Sequence, residues 1–255
     1  MGKNVAIVTG ASSGMGKDFV RLIYREYTVD EIWVIARRRE MLEELKKELG
    51  KKIRILPLDL TDDDSIEDIE ELLEKEKPRV SVLVNAAGFG KFGEFTSVDL
   101  DDYMSMTELN SKALVAMTYR VLPYMDRGSE IYQLGSLSAF QPVPYIAVYG
   151  ATKAYVLSFS RALNREIRKK KGIKVMAVCP GWVKTEFFNR AVKDDTISYY
   201  NRFFTSEEVV NRAFYDMKRG KDLSVCGFTV RAQVLLTKLL PHRLVMNIWC
   251  RQQKK

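Results

Sequence analysis

Ser136, Tyr149 and Lys153 are the residues of this chain best suited to acid–base chemistry. Tyr149 and Lys153 stand four apart in a stretch of helical patterning, so they share a helix face. A lysine ammonium beside a phenol stabilises the phenolate and lowers the tyrosine pKa from ~10 toward neutrality. Such a tyrosine gives a proton to a carbonyl oxygen or takes one from an alcohol. Ser136 directly follows an apolar, strand-like run and offers a hydroxyl to the same oxygen. A Tyr-x-x-x-Lys pair alone arises by chance on many helices, so its weight depends on the elements that position it.

The first of those elements is the stretch Val5–Gly16. A β-branched apolar run ends in Gly10-x-x-x-Gly14-x-Gly16, and helical patterning follows from Lys17 to Tyr27. This is a strand, a tight turn and a helix N-terminus. Glycine lets the backbone turn sharply and approach a ligand closely. A helix N-terminus carries unpaired N–H groups and partial positive charge, which suit a phosphate. The stretch reads as a pyrophosphate cradle for a dinucleotide, against the alternative of a glycine-rich turn without special function.

Apolar strand-like runs recur at 4–9, 32–36, 53–57, 80–84, 129–134, 173–178 and 223–226, with helical patterns between most of them. Long helices are expected at about 100–125 and 149–170. Gly50 ends one helix, and Thr61–Asp64 caps another. Near-continuous apolar strands joined by helical crossovers imply a doubly wound parallel α/β sheet covered on both faces, a Rossmann-type, three-layer αβα architecture in one unit over residues 1–255. Ligands in such folds bind beyond the carboxyl ends of the strands. The stretch 182–204 breaks the rhythm with Trp182, Phe187, Phe188, Tyr199, Tyr200, Phe203 and Phe204. It reads either as a lid over an apolar substrate or as packing on the core or on a neighbouring subunit.

Composition narrows the function. The chain has 255 residues, three cysteines without metal-ligand spacing, and one histidine, His242. No metal site and no Ser-His-Asp mechanism is expected. The formal charge of +8 is spread along the chain, with clusters at 37–39, 168–171 and 251–255. Without a concentrated basic face or a recognisable module, nucleic-acid binding is not expected. No apolar run is long enough for a transmembrane helix, and a cytoplasmic location is expected.

The motifs occur in order: Thr9-Gly10-x-x-x-Gly14-x-Gly16, Asn85-Ala86-Ala87-Gly88, Ser136, Tyr149-x-x-x-Lys153 and Pro180-Gly181. Together they resemble the short-chain dehydrogenase/reductase family in its single-domain form, over residues 4 to about 185. The resemblance implies that Tyr149 is the general acid/base, that Lys153 lowers its pKa and binds the nicotinamide ribose, and that Ser136 polarises the substrate oxygen. It implies that Asn110 holds the water of a proton relay to Lys153. It assigns the cofactor turn to Gly10, Ser12, Ser13, Gly14, Met15 and Gly16, with Met15 replacing the more usual isoleucine. Asp59 and Leu60 would meet the adenine. Asn85, Ala86 and Gly88 would line the cofactor, and Pro180, Gly181, Val183 and Thr185 would hold its carboxamide end. An acidic residue after the second strand would bind a ribose 2′-hydroxyl and repel a 2′-phosphate. This chain has Ala36-Arg37-Arg38-Arg39 there, and arginine suits bidentate phosphate binding. Arg37, assisted by Arg38, therefore favours NADP(H) over NAD(H), unless these arginines face solvent at a basic helix start.

Candidate substrate residues are Phe89, Phe92, Ser138, Phe140, Gln141, Val143, Pro144, Tyr145 and Trp182, most of them apolar. They point to a bulky hydrophobic ketone or secondary alcohol, and the segment Asn85–Phe95 resembles the branch of the family that contains bacterial oxidoreductases and hydroxysteroid or long-chain ketoacyl reductases, which implies a steroid or bile acid, or alternatively a 3-oxoacyl or other lipid-like carbonyl. A low-turnover nucleotide-binding sensor or scaffold is the reading from another class. The tail, about 228–255, combines Val230, Val234, Leu235, Leu239, Leu244, Val245, Ile248 and Trp249 with Arg231, Lys238, Arg243 and Arg251. It suits packing on a partner subunit of a homodimer or homotetramer or over the substrate cleft, which is preferred, or a basic amphipathic contact with a membrane surface.

Overall fold

The computed structural model describes residues 2–187, 191, 197–200 and 202–255. Phe188 of the aromatic stretch lies outside the described residues. The first half of the chain alternates strand and helix: β1 (Asn4–Thr9), α1 (Gly14–Glu26), β2 (Glu31–Ile35), α2 (Arg39–Leu49), β3 (Ile53–Leu56), α3 (Asp63–Glu76) and β4 (Arg79–Asn85). There follow α4 (Leu100–Thr107), α5 (Leu114–Val121), β5 (Glu130–Leu134), α6 (Ala147–Lys171), β6 (Lys174–Val178), β7 (Trp182–Lys184) and β8 (Phe203–Thr205). The chain closes with α7 (Ser206–Lys218), β9 (Leu223–Ser224), α8 (Phe228–Leu239) and α9 (His242–Gln252).

The main sheet has seven strands in the order β3-β2-β1-β4-β5-β6-β9, and every pairing is parallel. The order reverses direction between β1 and β4, which opens a crevice at their carboxyl ends. Side-chain alternation covers both faces. Ala6 and Val8 of β1 pack with Phe19, Val20 and Ile23 of α1 in one layer. Val5 and Ile7 pack with Ile69 and Leu73 of α3 and Met117 and Val121 of α5 in the other. Burial of these stripes supplies the main driving force for the three-layer arrangement.

The helix boundaries follow local chemistry. Asp62 accepts a hydrogen bond from the Asp64 N–H at 3.3 Å and caps α3, and Lys77 ends it in the left-handed conformation before Pro78. Gly172, at φ +72°, ends α6 after four consecutive basic residues. The helix expected from Leu100 to Met125 is divided. A π-helical turn, Glu108–Ala113, joins α4 to α5, and a 3-10 turn, Leu122–Tyr124, follows. Apolar spacing does not register such a turn, which widens the helix locally where Asn110 is held by partners from other elements.

In the aromatic stretch β7 and β8 form a two-stranded parallel ladder. Phe204 is buried in the main core, and Phe187 packs near Tyr149. The stretch therefore divides between core packing and the wall of the crevice.

Candidate active site

Tyr149 lies in the first turn of α6 and is largely buried, with the rest of its surface facing the cavity. Its ring meets Phe92 and Phe187 at centroid distances of 5.6 Å each. A Cβ on Gly90 would come within 2.7 Å of Phe187 and 2.9 Å of Phe92, so a side chain there would have to push these two rings aside. Lys153, one turn along α6, is also buried, and its Nζ donates to the Leu134 carbonyl at 2.8 Å. Ser136 follows β5 and caps a 3-10 turn, Leu137–Phe140, by accepting from the Ser138 N–H at 3.2 Å.

Burial dominates the electrostatics. It pushes the Tyr149 phenol up to about 12, with Ser136 pulling in the other direction. It brings the Lys153 ammonium down to about 8. In this structure burial outweighs any neighbouring charge at Tyr149. Removing the phenolate from water costs more than its neighbours return, and the Lys153 ammonium is held by a backbone carbonyl. Cys179 lies behind Ser136 and Lys153 at 0 % exposure, and burial raises its thiol to about 12.

Asn110 sits in the π-helical turn with its amide committed. Its Oδ1 accepts from the Phe89 N–H at 3.1 Å, and its Nδ2 donates to the Phe89 carbonyl at 2.9 Å and to Thr152 Oγ1 at 3.1 Å. A Cβ on Gly88 would lie 2.7 Å from Asn110 Oδ1 and 3.4 Å from Lys153 Nζ. Gly88 therefore lets β4, the π-helical turn and α6 converge.

The glycine-rich turn is equally tight. Gly10 has φ +67°, and a Cβ there would meet the Ala86–Ala87 backbone at 2.7–2.8 Å. A Cβ on Gly16 would lie 2.2 Å from the Gly10 carbonyl oxygen. Thr9 Oγ1 accepts from the N–H groups of Ala86 and Ala87 at 3.1 Å each, locking β1 to the segment after β4. At the start of α1 the Ser13 side chain makes no capping bond and the first turn holds no acidic residue. That positive helix end faces a cavity of about 770 Å³, within the usual range for cofactor and ligand sites. These features fit a bound pyrophosphate: bare backbone, no competing carboxylate in the helix turn, and room.

One cavity joins the two sites. Gly10, Ser12, Ser13, Gly14, Met15, Gly16, Arg37, Arg38, Asp59, Leu60, Ala86 and Gly88 line one end. Ser136, Tyr149, Lys153, Pro180, Gly181 and Val183 also line it, with Thr185 beside Gly14, and Phe89, Phe92, Ser138, Gln141, Val143 and Trp182 line its apolar far end, where Phe89, Phe92, Val143 and Trp182 cluster with Tyr149. Arg37 Nη1 pairs with Asp59 Oδ2 at 3.3 Å. Arg38 reaches across to Glu186 at 2.9 Å and to Ser12 Oγ at 3.3 Å. Both arginines line the cavity, and about half of each side chain is exposed. Asn110, expected at the proton relay, stands behind the lining and is hydrogen-bonded to Phe89 and Thr152.

Four placements differ from expectation. Asn85 turns its amide into the core, donating to Gln133 Oε1 at 2.9 Å and Thr118 Oγ1 at 3.0 Å, so it braces β4 against β5 and α5 instead of facing the cavity. Phe140 ends the 3-10 turn, where residues three apart eclipse, and follows Leu137 onto the main core. Tyr145 adopts φ +68° and presents its backbone, whose carbonyl accepts from the Gly93 N–H at 2.9 Å; its ring is outside the lining. Pro144 contributes its carbonyl to Trp249 Nε1 at 3.0 Å and also lies outside the lining.

The cavity wall also contains Glu186, Ile146, Gln233 and Gln252, which had no assigned place at the site, together with Phe187 of the aromatic stretch and Trp249 of the tail. Trp249 stacks on Trp182 at 6.4 Å, and neighbouring Gln253 accepts from the N–H groups of Ser198 and Tyr199 at 2.9 and 3.0 Å. The inner face of α9 thus closes the apolar end of the cavity.

A family profile described as short chain dehydrogenase matches residues 4–196. Sulfoacetaldehyde reductase 2 of Chromohalobacter salexigens is 34% identical over 193 residues, covering 72% of this chain and 74% of that relative. A short-chain dehydrogenase from Sphingobium yanoikuyae, solved in complex with NADPH, superposes with TM-score 0.79 and 27% identity over 92% of this chain and 93% of that one. The bulky-bulky ketone specific alcohol dehydrogenase from Comamonas testosteroni gives TM-score 0.71 and 25% identity over 87% of this chain and 85% of that one.

Proposed function

The chain belongs to the short-chain dehydrogenase family, and from that premise we propose that it interconverts a bulky hydrophobic ketone and its secondary alcohol with NADP(H). The observation that carries this reading is the single cavity in which Ser136, Tyr149 and Lys153 meet an apolar wall of Phe89, Phe92, Val143, Phe187, Trp182 and Trp249. A nicotinamide dinucleotide, when bound, supplies the hydride.

The chain's own residues supply position and protons. In the reducing direction Tyr149, kept as the neutral phenol by burial, carries the proton that the carbonyl oxygen takes up. The Ser136 hydroxyl donates to the same oxygen as its negative charge grows. Lys153 places its charge where the tyrosine loses its proton. Asn110 fixes Phe89 and Thr152 on either side of this group. The aromatic box around Tyr149 excludes water, which strengthens each of these interactions.

Preference for NADP(H) is supported by Arg37 and Arg38 at the end of β2, where an acidic residue would instead bind a 2′-hydroxyl. The substrate class is supported by the lining. Among the described residues, the cavity lining has no lysine or arginine besides Arg37 and Arg38 after β2 and Lys153, whose Nζ is held by the Leu134 carbonyl, so a sulfonate such as that of the Chromohalobacter enzyme's substrate has no dedicated cation. A steroid or bile-acid ketone suits the aromatic walls best.

The test is NADPH consumption by the purified protein with a steroid ketone, a bile-acid ketone, a 3-oxoacyl thioester and sulfoacetaldehyde. Turnover of the polycyclic ketones that Tyr149→Phe abolishes supports the proposal. Tight NADPH binding without turnover of any carbonyl would leave a nucleotide sensor or scaffold, and preference for sulfoacetaldehyde would overturn the substrate class.

A further inference from the structure

The helices α8 and α9 use only their inner faces within the fold. On α8 the buried residues are Val230, Val234 and Thr237. Phe228, Leu235 and Leu239 are spaced seven and four apart, so at 3.6 residues per turn they form one stripe on the opposite side. That stripe is open: Phe228 is 78 % exposed, Leu235 61 % and Leu239 74 %. On α9, Val245 packs inward, whereas Leu244 and Ile248, one turn apart, are exposed. Isolated exposed leucines need no explanation, but stripes on two consecutive helices do.

The charge pattern selects the occupant. From Leu223 to Lys255 there is no aspartate or glutamate. The same stretch carries Arg231, Lys238, Arg243, Arg251, Lys254 and Lys255, all exposed and none in an ion pair among the described residues. A two-fold contact would bring the same patch of two copies together and set cations against cations. An anionic lipid surface complements both features at once, taking the apolar stripe at the acyl boundary and the cations among the headgroups.

We propose that the outer face of α8 and α9 docks this protein on an anionic membrane surface as a peripheral contact. No helix among the described residues is long and apolar enough to cross a bilayer, so the contact lies in the interface plane. Trp249 and Gln252, which line the catalytic cavity, stand on the same helix as Leu244 and Ile248. Docking therefore brings a wall of the cavity to the lipid surface. The proposal rests on the surface alone and not on the substrate assigned above.

The experiment is co-sedimentation of the full chain with vesicles of phosphatidylcholine alone or with phosphatidylglycerol, at low and high salt. Two variants are compared, Leu235→Glu/Leu239→Glu and Arg231→Glu/Lys238→Glu. Circular dichroism and urea midpoints show whether they fold like the parent, and sedimentation velocity without lipid gives the oligomeric state. The expected result is binding to the anionic vesicles that high salt weakens and that each double variant reduces tenfold or more, with fold and oligomeric state unchanged. Equal binding to neutral and anionic vesicles, or none to either, overturns the proposal. A smaller oligomer for Leu235→Glu/Leu239→Glu without lipid also overturns it, because the stripe would then be a subunit interface.

Discussion

Arg38 Nη1 lies 2.9 Å from Glu186 Oε2, a contact between residues 148 positions apart that joins the end of β2 to the segment after β7 across the mouth of the cavity. Both side chains are about half exposed, so the pair itself adds little stability. Its consequence is competition: a 2′-phosphate that takes Arg38 must displace Glu186. Glu186→Gln is expected to tighten NADPH binding about two- to fivefold, the equivalent of about 1 kcal/mol or less, with little effect on NADH. Arg37→Asp is expected to narrow the gap between the two cofactors. Titration of each, followed by the fluorescence of the bound nicotinamide, checks both. Equal binding of NADPH and NADH by the parent would remove the arginines' role.

Tyr149→Phe keeps the aromatic box and removes the transferable proton. It is expected to lower kcat/KM for ketone reduction by about 10²–10⁴-fold. NADPH affinity should stay within about twofold of the parent, a difference of roughly 0.4 kcal/mol. Steady-state kinetics beside the same fluorescence titration separates the two effects, and a variant retaining most of its turnover would move the proton donor elsewhere.

Burial sets the direction of the pH dependence. The Lys153 ammonium is lowered from 10.5 to about 8, so it is charged below that pH and neutral above it. Tyr149, raised to about 12, keeps its proton throughout the neutral range. For reduction, kcat/KM should be level below pH 8 and fall above it as Lys153 loses its charge, since this parameter reports groups of the free enzyme. A profile that stays level to pH 10 would show that Lys153 remains charged.

Gly16 leaves no room for a side chain, because a Cβ would lie 2.2 Å from the Gly10 carbonyl oxygen. Gly16→Ala is expected to push α1 away from the turn, destabilise the fold by about 1–3 kcal/mol and weaken cofactor binding. Gly150, inside α6 and with nothing nearer than 3.6 Å to its Cβ position, is the control for replacing a helical glycine where there is space. Urea midpoints for both variants provide the check, and a Gly16→Ala midpoint equal to the parent's would contradict the packing.

Trp249→Ala removes the stack on Trp182 and the donor to the Pro144 carbonyl. It should raise KM for a polycyclic ketone about tenfold or more and leave NADPH binding unchanged, since the indole sits at the far end of the cavity. An unchanged KM would take α9 out of the substrate site.

Much of the architecture is legible locally. The run from Val5 to Gly16 shows strand, turn and helix start within one short window, because β-branched alternation and glycine punctuation act on neighbouring residues. Tyr149 and Lys153 are legible for the same reason, as a helix brings residues four apart to one face. Asn85 shows the limit of such reading. Its position after β4 is plain from the sequence, but its amide faces Thr118 and Gln133, and only the packing of α5 and β5 provides those partners. The π-helical turn around Asn110 was hidden likewise, since its partners Phe89 and Thr152 come from distant segments.

The sequence by itself determined the alternating α/β order, the family motifs and the acid–base group, because each depends on short-range periodicity and residue type. Only the tertiary structure decided which side chains share the cavity. It brought Trp249 to Trp182, turned Arg38 to Glu186, and buried both Tyr149 and Lys153. Those outcomes depend on how distant segments pack and how much water they exclude, and both are properties of the assembled fold.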